Sequence, residues 1–139
     1  MYATNFGHIN WLHVLVAAVA YFALGSIWYS VLFGKKWVSY QKINMNDPDA
    51  KKGAATIMVG SFILMAISTI GLAILINRLD LLTALSGIKL GLLTGFCFSA
   101  MAISISYLYV KRPGGLHLID GLYHIVGQAI AAAIIAAWH

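Results

Sequence analysis

Four long apolar runs dominate the chain, covering residues 9–33, 54–77, 88–110 and 116–138, each broken only by isolated polar side chains. A helix needs about 20 mostly apolar residues to cross a bilayer. All four runs reach that length, and all are too long for barrel strands. Inside lipid the backbone must satisfy its own hydrogen bonds, so runs of this kind are expected to be helices. The pattern predicts an all-α, integral membrane four-helix bundle, with residues 1–139 forming a single membrane domain. The segments between the runs carry the matching punctuation. In "NDPDAKKG" Asp47 suits an N-cap, Pro48 the first helical position and Asp49 the first turn, so the second helix is expected to start in water and enter the bilayer near Gly53. "KRPGG" (111–115) is a short break, which makes the third and fourth helices antiparallel neighbours.

Composition agrees with lipid as the main solvent. Hydrophobic residues make up 61% of the chain and charged residues only 9%, where a soluble domain carries about a quarter. The first apolar run has no Lys or Arg before it and is too long for the core of a signal peptide, so it is expected to persist as a span. Cys97 is the only cysteine, which excludes an internal disulfide and a thiolate cluster. Its apolar surroundings predict a small buried hydrophobe.

Charge sets a direction. Of nine basic residues, Lys35, Lys36, Lys42, Lys51 and Lys52 fall in the first loop, and Lys111 and Arg112 in the third. The positive-inside rule places these two loops in the cytoplasm and both termini outside, in a multi-pass protein of a bacterial cytoplasmic membrane. Trp37 and Tyr40, beside Lys35 and Lys36, suit an interfacial belt. The five lysines of the first loop are candidates for anionic lipid head groups, which makes membrane lipids the expected partners. No basic face of a soluble module is present, so no nucleic-acid partner is expected.

Candidate chemistry gathers on the fourth run. At 100° per residue, His117, Asp120, His124 and Gln128 share one face. Polar groups are costly against lipid, so this stripe should face the interior or a wet cavity. The first run offers a facing stripe that includes Asn10, His13, Tyr21 and Trp28, with Tyr29 and Ser30 at the depth of Asp120. A contact is expected between Trp28 or Tyr29 and the His117–Asp120 end. Asp120 is also within reach of Lys111, Arg112 or Lys35, or of the positive end of its own helix, while His124 and Gln128 are expected to bond the first helix. His117 and His124 lie about 10.5 Å apart along the axis, too far to share an ion without strain, so neither a metal site nor a cofactor is expected. On the third run Gly87, Gly91, Gly95 and Ser99 form a small-residue ridge that admits a close helix partner. That partner is the second run (through Gly60, Ser61, Ser68 and Gly71), the Ala-rich fourth, or another copy.

"INWLHVLVAAVAYFALGSIWYSVLFGKKW" (9–37), "GIKLGLLTGF" (87–96) and "SYLYVKRPGGLHLIDGLYHIVGQAI" (106–130) resemble the small bacterial membrane proteins grouped as domain of unknown function 1761. The most specific part is Gly25, Trp28, Tyr29, Ser30, Phe33, Gly34, Lys35 and Trp37. Val31 stands where that family often has Pro, and Asp120 where it often has Asn. The resemblance implies a four-helix membrane fold and brings no established activity.

Three functional classes remain. A structural or accessory membrane subunit, alone, as a homo-oligomer or in a larger complex, predicts a packed, dry interior, and the sequence favours it. A proton carrier, small-solute carrier or ligand-binding module predicts a wet cavity through Asp120, His124 and Gln128. A membrane-embedded enzyme predicts a cytoplasm-facing pocket with several charges. Spans without Arg or Glu speak against it, so no catalytic residue is assigned.

Overall fold

The computed structural model describes residues 9–41 and 53–138. Five helices account for most of them: α1 (Trp11–Leu32), α2 (Gly34–Gln41), α3 (Ala54–Leu79), α4 (Ala84–Tyr109) and α5 (Gly114–Ala137). Among the described residues there is no strand. α1, α3, α4 and α5 are each long and apolar enough to cross a bilayer.

The helix ends follow local chemistry. Asn10 caps α1, its side chain accepting from the N–H groups of Leu12 and His13. α4 starts at Ala84, four residues earlier than hydropathy alone places it, because Thr83 and Ser86 form a reciprocal capping box. Asp80 ends α3 in the left-handed conformation, its N–H bonded to the Ile76 carbonyl. Gly53 stands before α3 at φ 78, a conformation glycine adopts without strain. A helix running unbroken from Asp47 into α3 is therefore excluded. Asp47, Pro48, Asp49, Lys42, Lys51 and Lys52 themselves lie outside the described residues. The first loop also contains the short helix α2, which the apolar pattern does not show.

Two helices contain π-helical segments, Trp28–Leu32 at the end of α1 and Gly95–Ala100 within α4. Each inserts i→i+5 bonding into an i→i+4 helix and so shifts the phase of the residues beyond it. α1 ends at Phe33 without a proline, and Val31 is accommodated in the π turn.

α5 is the central element. It packs against α1, α3 and α4, and 56% of its most apolar stretch is buried, against 22–28% in the other three. Its closest neighbour is α4. A Cβ at Gly87 would strike the Ala132 carbonyl, one at Gly91 the backbone of Gln128 and Ala129, and one at Gly95 the backbone of Ile125. The glycine ridge is thus spent on α5. α3 does not receive it, and Gly60 and Gly71 on α3 face open space.

α1 docks on α5 by a reciprocal notch. The Tyr21 ring fills the space a Cβ would take at Gly127, and the Tyr123 ring does the same at Gly25. α2 is fixed to the start of α5 by Tyr40, which lies over Gly115. By contrast α3 and α4 scarcely meet. The buried residues of α3 are Thr69, Leu72, Ala73 and Ile76, all in its second half. In α4 no residue after Ala100 is buried. The two helices are joined at one end and leave a furrow toward the other, with α5 as its floor. Cys97 lies exposed on the outer face of α4, not buried as its apolar neighbours suggested, because Gly95, two residues earlier, is the position that packs on α5.

Gly91→Leu is expected to destabilise the fold by about 1–3 kcal/mol through overpacking against the α5 backbone. Gly60→Ala, with nothing within 4 Å of the added Cβ, is expected to leave stability unchanged. Thermal unfolding of the purified variants in detergent, followed by circular dichroism, measures both.

Candidate functional site

The polar stripe of α5 meets hydroxyl groups rather than charges. Asp120 is 6% exposed. Tyr29 donates to its Oδ1 at 2.5 Å, and Tyr107 donates to its Oδ2. The basic residues near the turn, Lys111, Arg112 and Lys35, are not its hydrogen-bond partners. A carboxylate held this deep is better served by two fixed donors than by long cationic chains that would have to leave water.

Two successive residues at the start of the π turn of α1 both reach α5. Trp28 donates from Nε1 to the Ile119 carbonyl at 3.0 Å, and Tyr29 takes Asp120. One turn further along α5, His124 Nδ1 is hydrogen-bonded to the Tyr21 hydroxyl. Tyr123 donates to the Tyr21 carbonyl at 2.7 Å. Its ring stands 5.4 Å from those of Tyr21 and Tyr29 and 4.9 Å from that of His124.

Gln128 lies within hydrogen-bonding reach of Tyr21 on α1, as expected, and is also bonded by α4. Thr94 donates to its Oε1 at 2.7 Å, and its Nε2 donates to Ser99 Oγ at 2.5 Å. Thr94 and Ser99 are five apart. In a regular α-helix they would point in different directions, and the π segment between them brings both to one face.

The remaining sequence candidates fall elsewhere. His117 packs its ring edge-on against Tyr107 at 5.5 Å. His13 stacks on Trp138 at 3.9 Å, at the far end of α5 from Asp120. Asn10 is an exposed helix cap and takes no part in the polar interior. Lys35 and Lys36 are exposed on α2. Among the described residues, no group of three His, Cys, Asp or Glu side chains is placed to hold a metal ion.

The interior beside the stripe is not closed. A cavity of about 570 Å³ lies between α1, α3, α4 and α5, with Asp120, His124 and Tyr123 on its floor and Tyr29, Trp37 and Tyr107 on its walls. A second of about 330 Å³ shares Tyr29, Tyr123 and His124 with it and extends to Ser68. A third of about 220 Å³ runs from Ser68 to Thr94, Ser99 and Gln128. The three follow one another along the furrow. The first is of the size that holds small ligands, about 300–1,000 Å³.

Tyr107, Tyr123 and Thr94 belong to this site and were not singled out from sequence, and Trp37, expected at the interface, lines the cavity as well. Tyr107 had a readable signal. It stands six residues before Pro113, and Asp120 stands six after Gly114, so an antiparallel hairpin places them opposite each other. Thr94 meets Gln128 beside the π segment of α4, and Trp37 is brought to the cavity by α2.

These features define an all-α protein with four membrane-length helices, a buried polar stripe and a furrow beside it. The family model described as "Protein of unknown function (DUF1761)" matches residues 12–136. The chain belongs to that family. No curated protein and no solved structure matches it.

Tyr123→Phe is expected to cost about 1 kcal/mol, the order found for interhelical hydrogen bonds between membrane helices. Gln128→Leu should cost about the same and leave Thr94 and Ser99 without their partner. A double-mutant cycle of Gln128→Leu with Thr94→Val, read by unfolding in detergent, should show a coupling well above zero.

Proposed function

We propose that the chain is a multi-pass protein of a bacterial cytoplasmic membrane that binds a small ligand in the furrow between α3 and α4. The observation that carries this reading is the row of cavities along Asp120, His124 and Gln128. A purely structural subunit calls for a dry, packed interior there. The first half of α3 and the last part of α4 contribute no buried residue, which leaves the mouth open to a ligand arriving from the bilayer or from the side of the first and third loops. By the distribution of Lys and Arg, that side is cytoplasmic. Lys35 and Lys36, exposed on α2 beside this mouth, suit contact with anionic head groups. Asp120, Tyr29, Tyr107 and His124 form the polar end of the site.

A cysteine at Ser61, on the wall of both larger cavities, tests the furrow in a Cys97→Ala background. Ser61→Cys is expected to react with a small membrane-permeant maleimide in the folded protein. A cysteine at Thr69, which is 0% exposed, is expected to stay unreactive. Equal protection at both positions would show a closed interior and favour the structural subunit.

A further inference from the structure

The geometry points to an organic cation as the ligand of the 570 Å³ cavity, a lipophilic ammonium or phosphonium group whose charge is met by Asp120 and whose body lies against aromatic rings. This rests on reading the furrow as a binding site and adds the chemistry of its occupant.

Three features of the cavity carry it. First, among the described residues its lining contains no Lys, Arg or Glu, and its acidic group is Asp120. Each oxygen of that carboxylate receives one tyrosine hydroxyl. An ionised carboxylate has about four lone-pair directions, so acceptor capacity remains on the cavity side. Second, the walls around the carboxylate are aromatic. Tyr29 stands 5.7 Å from Trp37 and 5.4 Å from Tyr123, and Tyr107 completes the enclosure from α4. Aromatic rings beside a carboxylate add to its attraction for a cation through the ring quadrupole, most strongly where water is excluded. An anionic ligand would be repelled by the carboxylate. Third, the outer walls are apolar and flexible. Met58 and Met65 on α3 and Ile103 on α4 line the side toward the mouth, and unbranched thioether side chains adapt to hydrophobic bodies of varied shape. Charge at the floor and apolar surface at the mouth match an amphiphilic cation entering sideways between α3 and α4.

The test uses the full chain purified in a sugar-headed detergent, which contains no ammonium group. Tetraphenylphosphonium is the probe, and neutral triphenylphosphine oxide is the control, each followed by equilibrium dialysis. The phosphonium is expected to bind saturably and the oxide more weakly. Asp120→Asn is expected to weaken the phosphonium by about tenfold or more, the worth of a lost charge interaction in a dry site, and to leave the oxide unchanged. Tyr107→Phe keeps the ring and should bind at least as tightly. Tyr107→Leu removes the ring and should bind about two- to fivefold more weakly. These tyrosine variants keep the inference open to refutation should Asp120→Asn fail to fold. Equal binding of the two probes, or an unchanged phosphonium affinity in Asp120→Asn, would overturn the cation and leave the furrow as a site for neutral ligands. Binding of neither probe overturns it as well, and the Ser61 labelling then decides separately whether the furrow is open. Displacement of the phosphonium by phosphatidylethanolamine but not by phosphatidylglycerol would identify the cation as a lipid amine. Displacement by neither would identify it as a free solute.

Discussion

The backbone of α4 lies directly on the backbone of α5 along Gly87, Gly91 and Gly95, and most other features of the fold depend on that approach. Between helices in lipid there is no hydrophobic driving force, since the surrounding tails are as apolar as the side chains. Association then comes from close packing and from hydrogen bonds. The glycine ridge supplies the first by bringing whole backbones together. It also brings Thr94 and Ser99 near enough to bond Gln128. On its other side α5 receives α1 through the paired Tyr21–Gly127 and Tyr123–Gly25 notches. With both flanks of α5 occupied, α3 is left with the remaining face and only its second half is buried.

This arrangement explains why a polar stripe and a cavity occupy the same place. α5 carries Asp120, His124 and Gln128 along the line where α3 stands off from α4. Each polar group is satisfied by a side chain of α1 or α4, so the stripe does hold helices together. It holds those two and borders the space that α3 does not close. Structural and binding roles are therefore carried by the same residues. Asp120 joins α1 to α4 through two tyrosine hydroxyls and lines the cavity between α3 and α4 as well. In α4 the π segment helps by turning Thr94 and Ser99 onto one face.

Hydropathy and length alone made the four long helices legible, because an apolar run of that length has few other stable forms. The antiparallel pairing across Pro113 was equally legible. So was the polar face of α5, since helical periodicity alone puts its members together. Three features were hidden. The partner of the glycine ridge was one of three choices, because the spacing of small residues says that something approaches and not what. The contact of Tyr29 with the Asp120 end of α5 was legible from its depth in the first run, but the second partner was sought among cations, whereas Tyr107 takes that place without exposing a long charged chain. The π turns leave no mark on composition or periodicity, and with them went the bonds of Gln128 to Thr94 and Ser99 of α4. Asn10 was read into a polar stripe although an Asn ahead of an apolar run is also a helix cap.

The central claim is that α3 and α4 diverge from their connecting turn and leave a furrow over α5. Pulsed electron spin resonance on doubly labelled protein in lipid nanodiscs tests it most directly. One label pair replaces Val59 and Ile105 near the mouth, and the other replaces Leu75 and Leu92 near the turn. All four positions are exposed. The account predicts a distinctly longer separation for the mouth pair, with a distribution that narrows when the furrow is occupied. Equal separations at the two ends, unchanged by ligand, would mean that α3 and α4 lie side by side along their length, and the furrow would not exist.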